Sequence, residues 1–142
     1  MDDISGNIDQ RLLEAYLATT YEVKHLGLQI KIGEKNGHLE EFLVDNNMFS
    51  WAFISAWNPF SKKFSEEDNE IRHKKLVKEV ETRKFPFSVG FGIPANEEWD
   101  AEKSLLILGI SRREAIFFGK RMEQNAVVWG RLGGVAELVV TK

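Results

Sequence analysis

The run from Ser50 to Ser61, Ser-Trp-Ala-Phe-Ile-Ser-Ala-Trp-Asn-Pro-Phe-Ser, carries no charge and constrains the fold more than any other segment. It reads as a buried strand from about residue 50 to 57 that stops at Asn58-Pro59, where proline removes a ladder donor. Ser65-Glu-Glu-Asp68 then has the Ser-x-x-acid form of a capping box, with acidic residues where the helix dipole favours them. A helix therefore begins at Ser65 and runs to about Arg83. Strand, polar turn and helix N-terminus in succession can aim backbone N–H groups and one amide side chain at a ligand.

Upstream, Asn7 or Asp9 can cap a helix over about 8 to 18, in which Leu12, Leu13, Tyr16 and Leu17 form one apolar stripe. Tyr21 and Val23 then alternate with charged neighbours, while Leu26, Leu28, Ile30 and Ile32 alternate in the opposite parity. The slip at Lys24-His25 fits either two strands with a tight turn or one bulged strand. Gly33 to Gly37 is a turn, followed by a short helix carrying Leu39, Phe42 and Leu43. Downstream, Pro86, Gly90, Gly92 and Pro94 signal a strand and an irregular loop, and Lys103 to Gly109 reads as a central strand. Ser111-Arg-Arg-Glu114 is a second capping box, opening a helix with Ala115, Phe118, Gly119 and Met122 on one face. Two runs, Ala126–Trp129 and Val135–Val140, flank Arg131-Leu-Gly-Gly134 as a C-terminal hairpin. The expected fold is α+β, a layered arrangement of one twisted mixed sheet with about four helices packed on it, in a single domain over 1–142.

The 142 residues are 43% apolar, with 10 Phe and 4 Trp, enough to fill a core. A net charge of −3, from 19 basic and 22 acidic residues, disfavours a general nucleic-acid binder. Its short basic pairs, such as Lys62-Lys63 and Arg112-Arg113, lie beside acids and read as solvated helix faces. The absence of Cys excludes disulfides and thiolate chemistry and fits a reducing cytoplasm. No signal peptide and no membrane span are expected. His25, His38 and His73 are too scattered for a metal motif, and HExxH, Walker A and GxSxG patterns are missing, so no cofactor is expected.

Five residues stand out for chemistry. Asn58, biased to extended geometry by Pro59, projects its amide beside the following helix, where it either meets a ligand or bonds its own turn. Asn69 and Arg72 continue that helix's apolar stripe toward its N-terminus, as a protein ion pair or as partners for an anionic ligand. His73 on the same stripe reads as a boundary core histidine. Glu102 stands at the rim of the central strand on one face with Ser104, after Glu98, Trp99 and Asp100, and is the one candidate base, with pairing to Arg72 as the alternative. Gln124 lies at a helix-to-strand junction with no local structural role, whereas Asn125 is expected as a left-handed helix cap.

Thr20-Tyr21, Phe-Ile-Ser-Ala-Trp-Asn-Pro at 53 to 59, Asn69 with Arg72, Glu102 with Ser104, and Gln124-Asn-Ala-Val-Val128 together resemble a bacterial family catalogued as domain-of-unknown-function family 3293. The resemblance extends over nearly the whole chain. It implies a single small domain, mostly from bacteria, and supplies no activity or catalytic residue; Ser55 stands where Thr is expected and keeps the hydroxyl.

Two functions compete on these grounds. The first is a cytoplasmic small-ligand domain, with or without catalysis, in which Asn58, Asn69, Arg72, Glu102 and Gln124 line one polar site for an anionic or nucleotide-like ligand. The other is a non-catalytic module whose polar residues form a structural network and whose edge strand or aromatic patch binds a protein partner.

Overall fold

The computed structural model describes residues 8–96 and 99–142. Asn7, an alternative cap for the first helix, and Glu98 lie outside them. Seven strands, β1 (Thr20–Val23), β2 (Leu28–Ile30), β3 (Ser50–Ser55), β4 (Phe87–Ile93), β5 (Glu102–Leu108), β6 (Ala126–Arg131) and β7 (Glu137–Val140), form one sheet in the order β2-β1-β4-β5-β3-β6-β7. Four helices, α1 (Gln10–Ala18), α2 (Gly37–Asp45), α3 (Glu66–Thr82) and α4 (Arg112–Arg121), complete an α+β fold.

Every neighbouring strand pair is antiparallel, so the sheet is not mixed as expected. The helix-linked strands β3 and β4 are indeed parallel to each other, but β5 lies between them. Likewise β5 and β6 flank β3. Each of these two crossovers, through α3 and through α4, skips one strand, and the skipped place is filled by an antiparallel neighbour.

The caps follow the local sequence. Asp9 accepts from the Leu12 N–H, Ser65 from that of Asp68, and Ser111 with Glu114 completes a reciprocal capping box. The parity slip at Lys24-His25 is a single helical turn followed by Gly27 in the left-handed region (φ 68°), which returns the chain as β2.

The sheet has two unlike faces. On the outer face, Leu76 and Val80 of α3 and Ala115 and Phe118 of α4 cover Ile54, Leu105, Ile107 and Val127. The inner face curls on itself. Beyond β2 and before β7, Ile32 bridges to Ala136, and the Gly33 N–H donates to the Ala136 carbonyl at 2.7 Å. One end of this curl is packed by Trp51, Leu106 and Leu108 against Leu39 and Leu43 of α2. At the other end α1 leans across through Leu12, Leu13 and Tyr16, yet none of its own residues is buried.

Candidate functional site

Strand alternation explains why one end of the curl is hollow. The inward positions of β3 run Trp51, Phe53, Ser55, and those of β5 run Leu108, Leu106, Ser104, Glu102, in register with one another. Opposite Ser104 and Glu102, β4 presents Gly90 and Gly92. Bulk thus falls away toward α1, leaving a cavity of about 810 Å³ bounded by Tyr16, Tyr21, Phe53, Phe60 and Ser104, with Glu102 among its walls. Gly90 is required for another reason: a Cβ there would come within 2.5 Å of the Glu22 carbonyl oxygen and 2.9 Å of the Phe53 ring. At Gly92 a Cβ would have ordinary contacts only.

Glu102 is the charged group set deepest in this cavity; it is half-buried, whereas Asp9, Arg11, Glu14, Asp100 and Lys142 around it are exposed. Burial pushes its carboxyl up to about 6, against the opposing effect of a hydrogen bond from the Asn58 amide at 3.1 Å. That amide is its one hydrogen-bond partner among the described residues. Across the cavity, burial raises the Tyr16 and Tyr21 hydroxyls above the usual phenol range, and the Glu102 charge adds to both effects. Both therefore stand as neutral phenols. The Tyr21 ring meets Phe53 edge-on with centroids 5.3 Å apart.

Behind Glu102 lies a polar network. Asn58 donates its backbone N–H to Asn69 Oδ1, and Asn69 Nδ2 returns a bond to Asn58 Oδ1, each at 2.8 Å. The Phe64 N–H also donates to Asn58 Oδ1. These bonds hold Asn58 in the left-handed region (φ 46°, ψ 72°), not the extended geometry that Pro59 favours. Phe60 and Ser61 follow at φ 50° and 62°. Three non-glycine residues in the left-handed region within four positions store strain, which persists only where surrounding bonds over-determine it. Here the Phe60 N–H donates to the Glu123 carbonyl at 2.6 Å, and Asn125 Nδ2 donates to Ser61 Oγ at 2.9 Å.

The five residues singled out from sequence do not converge on one opening. Glu102 and Gln124 line the cavity, while Asn58 reaches Glu102 from behind and Asn69 supports Asn58. Arg72 pairs with neither Glu102 nor the cavity. Its guanidinium donates to the carbonyls of Ala56 and Met122 and to Glu123, tying α3 to the end of β3 and to the segment after α4. Gln124 Nε2 donates to the carbonyls of Trp57 and Met122, which gives it the structural role that its sequence neighbourhood did not suggest. The left-handed residue after α4 is Glu123 (φ 55°), not Asn125, whose side chain is committed to Ser61. His73 is buried against the sheet, its Nδ1 has no partner among the described residues, and burial lowers its pKa.

Sequence reasoning missed Tyr16, Tyr21, Phe60 and Gly92 as cavity residues. A signal was present: Gly90 and Gly92 share parity, so within a strand both face one way. Ser55, noted for its hydroxyl, accepts from the Trp57 N–H and donates to the Lys103 carbonyl, both at 2.9 Å. No group of three or more His, Asp or Glu among the described residues is placed to hold a metal ion. No helix among them is long and apolar enough to cross a membrane.

A curled antiparallel sheet with helices on its outer face and a cavity at one end defines an α+β domain. A family model described as Protein of unknown function (DUF3293) matches residues 54–127, more than half of the chain, and the protein belongs to that family. The match spans the Asn58-to-Gln124 network and stops short of Thr20-Tyr21 on one side. No curated protein and no solved structure matches the chain.

Proposed function

We propose that this protein is a small-molecule-binding domain whose ligand enters the open end of the curled sheet and anchors on Glu102. One observation carries the reading: a half-buried carboxylate with a single protein partner faces a cavity of about 810 Å³, within the size range of small-molecule sites. A carboxyl near 6 is also suited to exchange a proton near neutral pH, so catalysis with Glu102 as base belongs to the same proposal. The strained segment from Asn58 to Ser61 adds support, because such strain concentrates at functional sites. The anionic ligand expected from the sequence loses its carrier, since Arg72 is spent on carbonyls and Glu123, and the first turn of α3 holds Glu66, Glu67 and Asp68. A cytoplasmic setting suits a chain without cysteine.

The test is a thermal-shift screen of wild type and Ser104→Leu, which fills the hollow end, against a broad library of small polar molecules. Binding predicts compounds that raise the wild-type melting temperature and leave the folded variant unchanged. A library that shifts neither protein sinks the reading. The rival, a protein-interaction module, draws support from Val89, Phe91 and Ile93, which form an exposed apolar row on the outward side of β4. Phe91→Lys would then abolish partner capture while sparing every small-molecule shift.

A further inference from the structure

We infer that the ligand is an organic cation, an amine whose ammonium group sits against Glu102 and whose apolar body lies among the aromatic walls of the cavity. This rests on the cavity being a binding site and adds the chemical class of its occupant. Charge is the first argument. Around the cavity Asp9, Glu14, Asp100 and Glu102 outnumber Arg11 and Lys142, and of these six only Glu102 is half-buried, the other five being exposed. Two cations near the Asn58 network are already engaged: Arg72 as described, and Lys103 with Glu70 at 2.6 Å. Among the described residues no cation pairs with Glu102, and an anion brought beside it would be repelled.

The walls supply the second argument. Tyr16, Tyr21, Phe53, Phe60 and Trp99 offer aromatic surface around a carboxylate, a combination that stabilises an ammonium through both its charge and its attraction to ring faces. The Phe60 ring already carries one such group, with Lys142 Nζ 5.3 Å from its centroid. A neutral ligand could add a hydrogen bond to the one from Asn58 but would bring no opposite charge to the carboxylate. An ammonium ion returns to it the favourable charge interaction that burial removed.

The experiment compares benzylamine, benzyl alcohol and benzoate by titration calorimetry on the wild-type protein at about pH 7.5. Benzylamine is expected to bind at least roughly tenfold tighter than benzyl alcohol, with benzoate weaker than both. Facing Glu102 are Asn58, Tyr16 of α1 and Tyr21 of β1, with Asp9, Arg11, Glu14, Asp100 and Lys142 farther out. Benzylamine stays charged as the pH is lowered through about 6, so its advantage should fade as Glu102 takes up a proton. Glu102→Gln, which keeps an acceptor for Asn58, should erase the advantage at every pH, and the wild-type pH series decides the matter should that variant fold poorly. Equal or tighter binding of benzyl alcohol or benzoate overturns the cation inference and leaves the binding-site reading standing. Silence of all three probes overturns it too, and the binding-site reading then falls only if the broad library is silent as well.

Discussion

The two ends of the same inner sheet surface differ sharply in construction. At the α2 end, Trp51, Leu106 and Leu108 interlock with Leu39 and Leu43, and little is left for solvent or ligand. At the α1 end, the same two strands carry Ser55, Ser104 and Glu102 and the adjacent β4 carries Gly92, covered by a helix with no buried residue of its own. Stability is concentrated at the first end. The second end gives up packing to hold a carboxylate out of bulk water, a division expected where a rigid scaffold positions a site.

The comparison can be broken most directly at its packed end. Leu106→Ala should cost about 4 kcal/mol in urea unfolding, whereas Ser104→Ala, two residues along the same face, should cost under about 1. Similar losses would dissolve the contrast. Asn58→Ala removes the side chain that holds a left-handed residue and leaves Asn69 and the Phe64 N–H without their acceptor; a loss of about 3 kcal/mol is expected. A loss under about 1 would mean that the network is not what maintains the strained segment.

The next effect has the opposite sign. Glu102 titrates at about 6 in the folded chain against its usual 4.5, so the folded state binds the proton more readily. The contribution of Glu102 to stability is therefore greatest below 4.5, declines as the pH rises toward 6, and stays reduced above it. Glu102→Gln should gain about 2 kcal/mol at pH 7 and almost nothing at pH 4. A gain that does not depend on pH would assign the effect to something other than the buried charge. The smallest change is Gly92→Ala, expected to gain up to about 0.5 kcal/mol because a methyl group meets only ordinary contacts there. Gly90→Ala should instead destabilise, its Cβ colliding with the Glu22 carbonyl.

What could be read from the sequence was governed by local rules. Ser65 and Ser111 cap their helices because a hydroxyl three residues before a free N–H satisfies it wherever the helix lies. Lys103 to Gly109 reads as central because β5 is covered on both faces, and it is the middle strand of seven. Glu102 and Ser104 were placed on one face by parity alone. The curl was not legible, since it depends on a contact between Ile32 and Ala136 that no sequence window contains. Gly90 and Gly92 suggested a loop because glycine usually marks one, although here it opens a strand to its neighbours. Asn58 stood out in the sequence for its amide and an extended geometry set by Pro59, but its geometry came from Asn69 and Phe64, outside the dipeptide that seemed to dictate it.

The clasp between Ile32 and Ala136 also sets an order in time. It joins the first quarter of the chain to the last, so its loop-closure entropy is met only after the intervening strands have been laid down. In refolding followed by pulsed hydrogen exchange, the amides of Gly33 and Ala136, which bond across the clasp, should gain protection after those of β3 and β5; simultaneous protection would argue against a late closure. Late closure of the clasp would leave Glu102 on an open sheet for a time, so that the chamber around the carboxylate would form after the strand that bears it.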